Sequence, residues 1–177
     1  MNDKSSQSEP IGDPTKISMR VESIVAVIQR SGSFELRFEH LGSDAPEIRI
    51  ENVLGPSSDP VIESNHLQAT LDFRLDGWVD LPQEGSSELA PTRVLSVSGQ
   101  FVVIYSLAHS VDETTKEDAR AFVEVNGRMT TVPYWREYVH NSLARMGLPP
   151  YEVPVFNPFK LMQDAASLKK RVDKEAD

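Results

Sequence analysis

The chain contains no cysteine. That excludes disulfide frameworks, cysteine-ligated zinc, iron–sulfur clusters and thiol nucleophiles. It also lacks any long apolar run. The longest, Ile24 to Ile28 and Phe101 to Tyr105, are five residues each, against ~20 needed to cross a bilayer. The opening MNDKSSQSEPIGDPTK has no apolar stretch of the kind a secretion signal requires. A cytoplasmic protein without membrane insertion is expected. Positive charge is scarce, with 18 Lys+Arg against 27 Asp+Glu and a net charge of −9, which argues against nucleic acid as a partner.

Chemical signatures are missing as well. No G-x-S-x-G elbow, G-x-x-x-x-G-K-[ST] loop or G-x-G-x-x-G turn occurs. The histidines His40, His66, His109 and His140 stand at no metal-ligand spacing. No metal, no cofactor and no catalytic residue is expected, so the chain reads as a non-enzyme. Asp72 and Asp76 share a strand face with Arg74 between them. A paired-carboxylate hydrolase would use such residues, but a solvated strand face accounts for them more simply.

What remains is the composition of one globular domain. The chain has 177 residues, of which 39% are hydrophobic and 25% charged. Residues 1–16 are polar and proline-containing, which predicts a disordered arm. Ile17 to Ile28 is rich in β-branched residues and predicts a strand, followed by a turn at Arg30-Ser31-Gly32-Ser33. A second strand then places Phe34, Leu36 and Phe38 on a buried face. Residues 40–65 read as a long connection with a minor edge strand at Ile48-Arg49-Ile50. Leu67, Ala69, Leu71, Phe73 and Leu75 alternate with polar residues, the mark of an antiparallel strand with one wet face. A loop at 80–91 leads to a long strand from Arg93 to Leu107, with Gly99 marking a bend.

The period then becomes helical. Thr114-Thr115-Lys116-Glu117 has the form of a capping box before a short helix. Asn126-Gly127 interrupts it, and a stronger helix starts near Pro133. Its Trp135, Tyr138, Val139, Leu143 and Met146 share one side, and Gly147 is placed to end it. Prolines 154 and 158 keep the next stretch extended before a last short helix around Phe159 to Leu168. Four strands followed by helices make an α+β fold. The domain expected over 17–168 ends in a charged tail, 169–177.

One segment is more specific. Val132 to Phe159 reads VPYWREYVHNSLARMGLPPYEVPVFNPF. It resembles the protein-export chaperone SecB family, and in particular the SecB-like chaperones that accompany toxin–antitoxin pairs. Pro133, Tyr134, Arg136 and Glu137 match the helix motif, and Gly147, Leu148 and Pro149 match its end. The strong resemblance is confined to this segment; the rest agrees in strand and helix order. It implies a four-stranded antiparallel sheet, a long helix and a short C-terminal helix, assembled as a dimer of dimers.

The resemblance further implies an ATP-independent holdase that keeps non-native polypeptides soluble in apolar grooves, for export or for a dedicated client such as an antitoxin. Val155, Phe156, Phe159, Leu161 and Met162 fall where clients would bind. Tyr134, Trp135, Tyr138, Val139 and Leu143 would form the subunit interface of a homotetramer. The acidic sheet face, with Asp72 and Asp76, would dock a partner such as the translocation ATPase SecA. Residues 35–90 hold 12 Asp+Glu and 3 Lys+Arg, so the acidity belongs to the strands and their connections. A module of the same fold that binds one folded partner is the alternative.

Overall fold

The computed structural model describes residues 12–37, 39, 47–56, 58–82, 88–108 and 116–157. An antiparallel sheet carries a long helix across one face, so the α+β architecture expected from the sequence is the one observed. The strands are β1 (Val21–Leu36), β2 (Arg49–Pro56), β3 (Val61–Glu63), β4 (His66–Pro82) and β5 (Leu89–Leu107). The main path runs β1-β5-β4-β2, with β3 paired to β4. Before the sheet stands a short helix α1 (Pro14–Ser18). After it come α2 (Lys116–Phe122), a π-helical turn (Val123–Gly127) and α3 (Arg128–Arg145).

The alternating residues of β4 do what their pattern dictates. Leu67, Ala69, Leu71, Phe73 and Leu75 are buried, together with Leu95, Val97, Phe101, Val103, Tyr105 and Leu107 of β5. These side chains form one core with Val132, Trp135, Val139 and Leu143 from α3. Phe73 is central to it. Its ring stacks on Trp135 at 5.5 Å and meets Phe101 edge-on at 5.5 Å, the arrangements that aromatic quadrupoles favour.

Several sequence expectations are corrected. The two strands expected over 17–28 and 34–39 are one strand, and Arg30 to Ser33 is not a turn. The strand absorbs its irregularity as register shifts, one of them between Gln29 and Ser31, while pairing with β5 throughout. Gly32 is needed for close approach rather than for turning. It lies opposite Gly99, and a Cβ there would collide with the Tyr138 hydroxyl. Phe34 faces the core side opposite Val97 but, on an edge strand, stays 45% exposed. Phe38 lies outside the described residues.

The 40–65 connection supplies β2 and β3 rather than one minor strand. Its alternation is masked because Asn52 sits between the inward residues Ile50 and Leu54. Asn52 is no misfit there, since its Oδ1 accepts a hydrogen bond from the Trp135 indole at 3.2 Å. Both ends of the loop expected at 80–91 are strand, because β4 and β5 pair as far as Pro82 and Leu89; residues 83–87 lie outside the described residues.

Residues 12–16, expected in a disordered arm, are tied to the fold. Asp13 caps α1 by accepting from the Thr15 backbone N–H at 2.9 Å, with Pro14 at the first helical position. Hydrogen bonds from the Thr15 hydroxyl and then its N–H hold the Asp13 carboxyl below the usual carboxylate range. Asp118, buried at the start of α2, accepts from the Asp13 backbone N–H at 2.7 Å and pairs with Lys16 at 3.2 Å. Ile17, read as the start of a strand, is fully buried in α1.

The helical region also differs. The helix does not restart near Pro133. It continues from the π turn, and Pro133 lies inside α3, where it withholds one backbone donor. The π turn frees backbone groups that find partners. The Tyr105 hydroxyl donates to the Asn126 carbonyl at 3.2 Å and accepts from Thr130 Oγ1 at 2.9 Å, and Thr131 Oγ1 donates to the Gly127 carbonyl at 2.8 Å. Burial raises the Tyr105 hydroxyl above its ordinary pKa, which keeps it a donor. Gly147 ends α3 as expected, at φ 71°. The Gly147 and Leu148 N–H groups then bond the carbonyls of Ala144 and Leu143, a Schellman closure. The capping threonines and the last helix fall outside the described residues.

Candidate functional site

The Schellman closure turns the chain back along α3 as residues 148–157, without helix or strand. Leu148, Tyr151 and Phe156 lean on the core while Val153 is buried in it. Val155 remains 75% exposed. Of the five residues expected to bind clients, Val155 and Phe156 therefore lie on an accessible apolar segment. Phe159, Leu161 and Met162 lie outside the described residues.

Around Phe156 the structure gathers residues that the sequence reading did not single out. The Arg128 guanidinium lies over the Phe156 ring, its Cζ 5.9 Å from the centroid. Glu124, one turn earlier, pairs with Arg128. A Cβ on Gly55 of β2 would stand 3.7 Å from Arg128 Nη2, which places the guanidinium against the edge strand. The Glu124–Arg128 spacing of four was the available signal. Nothing in the sequence tied either residue to Phe156 or to β2. Val53 on the same edge strand is 44% exposed.

The residues expected at a subunit interface divide in two. Trp135, Val139 and Leu143 are buried within the single chain, packed beneath the sheet, so they have no surface left for a second subunit. Their apolar stripe was real, but this chain's own sheet covers it. Tyr134 is 48% exposed, and Tyr138 is partly buried with its ring 6.0 Å from Trp135. Elsewhere on α3, Pro133, Arg136, Glu137 and His140 face Tyr151 and Glu152 across a shallow notch.

Of the two carboxylates expected on an acidic docking face, the sheet presents one. Asp72 is exposed and accepts from Gln100 Nε2 at 2.9 Å. Asp76 is only 1% exposed, so it presents no charge to a docking partner. Arg74 reaches its Oδ2 at 2.7 Å, while Ser96 donates to Oδ1 at 3.0 Å and Arg93 lies 3.7 Å away. Asp76 is buried away from any substrate, and a hydrolase built on Asp72 and Asp76 is dropped. Among the described residues no group of three or more potential metal ligands occurs, and no helix is long and apolar enough to cross a membrane.

Comparison with known proteins adds the following. No family model matches the chain. Two curated relatives are each 29% identical over 77 residues: the SecB-like chaperone Rv1957 of Mycobacterium tuberculosis strain H37Rv and the SecB-like chaperone MT2006 of strain CDC 1551. The match covers 42% of this chain and 42% of each relative, so less than half of the relatives' length is spanned. Among solved structures, the fold matches that of the Mycobacterium tuberculosis SecB-like chaperone Rv1957 bound to a ChAD peptide from the HigA1 antitoxin. The TM-score is 0.62 with 17% identity, over 81% of this chain and 96% of the other. The chain is thus similar to SecB-like chaperones over part of its sequence and shares their fold, in line with the resemblance carried by Val132 to Phe159.

Proposed function

We propose that this chain is an ATP-independent SecB-like chaperone that holds non-native polypeptide, with an antitoxin-type protein as its dedicated client. The reading is carried by the sequence match to SecB-like chaperones. The exposed Val155 and the partly buried Phe156 beside it, on a segment without helix or strand, support it physically. An extended client would bury apolar side chains there, each worth ~1.5–3 kcal/mol gross. The ordering of the client offsets several kcal/mol of that gain. Affinity per site would then be modest, and a client wrapped over several subunits would be retained through effective concentration. An assembly near four times 19.8 kDa is part of the proposal, with Tyr134 and Tyr138 as the accessible members of its interface.

The neutralisation of Asp76 by two arginines weakens the case for docking an export ATPase on the sheet face and favours the dedicated-client branch. Work in the cytoplasm, on clients not yet folded, belongs to the same proposal. The test is aggregation of an unrelated denatured protein followed by light scattering, without nucleotide. Stoichiometric amounts of this chain are expected to suppress it. No suppression with any of several clients would sink general holding and leave a module that binds one folded partner.

A further inference from the structure

Arg128 opens α3 directly after the π turn and is unusually enclosed for an arginine beside a surface segment, its side chain 12% exposed. Glu124 takes one of its terminal nitrogens. Its Nε–H is buried and has no acceptor among the described residues. A guanidinium has five donors in a fixed fork, and a buried donor without an acceptor is unfavourable. The Phe156 ring lies over the guanidinium and offers it a π face but no acceptor. Phe156 is carried by a segment without regular structure, next to the exposed Val155. The contact is thus half-matched: the ring position is filled and the hydrogen-bond position is empty.

We propose that Arg128 is a specificity-determining anchor for clients and that Phe156 is its stand-in within the unbound chain. A client segment displaces the Phe156 ring, lays an aromatic side chain of its own on the guanidinium, and gives a backbone carbonyl to the Nε–H. Gly55 of β2 lines the floor of this site, where a Cβ would stand in ordinary contact with the same guanidinium. The inference rests on the chaperone reading above and narrows it. The clients selected are extended segments that carry an aromatic residue, and the unbound chain partly occludes its own site.

The experiment uses two dye-labelled unstructured peptides that differ only in carrying phenylalanine or leucine at the same positions, with affinity read by fluorescence anisotropy. The wild-type chain is expected to prefer the phenylalanine peptide by about threefold to tenfold. Phe156→Ala is expected to tighten binding of that peptide by a similar factor, because the stand-in is gone. Arg128→Met is expected to bring the phenylalanine peptide down to the level of the leucine peptide. Arg128→Lys keeps a charge for Glu124 but loses the planar face and the Nε–H. It should lose most of the preference while far-UV circular dichroism shows the fold retained. Weaker binding by Phe156→Ala, a preference that survives in both Arg128 variants, or wild-type binding without aromatic preference overturns the inference alone. Binding by Phe156→Ala where wild type shows none supports it. No binding of either peptide by wild type or Phe156→Ala overturns both the inference and the chaperone reading.

Discussion

The two faces of β4 are made by alternate residues of the same strand, yet they are held by different physics. The helix-covered face is apolar and dry, with Leu67, Leu71, Phe73 and Leu75 at 0–1% exposure. The open face is laced by cross-strand polar contacts: Ser33 with Ser98 at 2.8 Å, Asp72 with Gln100 at 2.9 Å and Asp76 with Ser96 at 3.0 Å. Asp76 breaks the division. It points to the open face and is as buried as the leucines, next to the register shift at Gly77 and Trp78. Its burial is accompanied by charge pairing with Arg74 and Arg93.

Substitutions on the two faces should therefore differ in kind as well as in size. Trp135→Ala removes the ring stacked on Phe73 and the bond to Asn52, and should cost about 3–5 kcal/mol in chemical denaturation. A loss under ~1 kcal/mol would mean that the covered face is not the main source of stability. Asp76→Asn should cost about 1–3 kcal/mol, since it leaves Arg74 and Arg93 without their carboxylate. Half-exposed arginines can turn to water, which keeps this below the tryptophan. Gly32→Ala should cost about 1–3 kcal/mol through its clash with Tyr138. Adding Tyr138→Phe should recover part of that loss, which a double-mutant cycle would read as coupling. Asp72→Asn, on the wet face with one neutral partner, should stay within about 0.5 kcal/mol.

The smallest effect concerns pH. Hydrogen bonding from Arg120 holds the exposed Asp59 carboxyl below the ordinary carboxylate range. A lowered folded pKa gives stability that is present above that range and lost as pH falls through the lower folded value. Asp59→Asn should thus melt slightly below wild type at neutral pH, and the two should converge in strong acid. A difference that persists at low pH would assign the effect to packing instead.

Legibility in the sequence followed which force shaped each element. The inner face of β4, the core side of β5 and the Gly147 cap were readable because hydrophobic period and backbone chirality write them locally. β1 was read as two strands because Gly32, a residue of turns, serves there for close approach to Tyr138 on a distant helix. β2 was missed in most of its length because Asn52, polar by composition, is satisfied by Trp135 from across the core. Trp135, Val139 and Leu143 were legible as an apolar stripe but not as to what covers them. At the site itself Val155 and Phe156 could be named from the resemblance. Arg128 could not, because its role depends on Gly55 and Phe156 arriving from opposite ends of the chain.

The edge position of β1 has a consequence for how the protein is made. Its pairing partner is β5, from Val21 against Leu107 to Leu36 against Leu95. During synthesis β1 emerges early, with Ile24, Val25 and Ile28, and finds no strand to join until Leu95 to Leu107 have left the ribosome. At about 5–20 residues per second that wait lasts several seconds. For that interval the nascent chain offers an unpaired, β-branched strand to its surroundings, the same kind of surface that chaperones exist to shield.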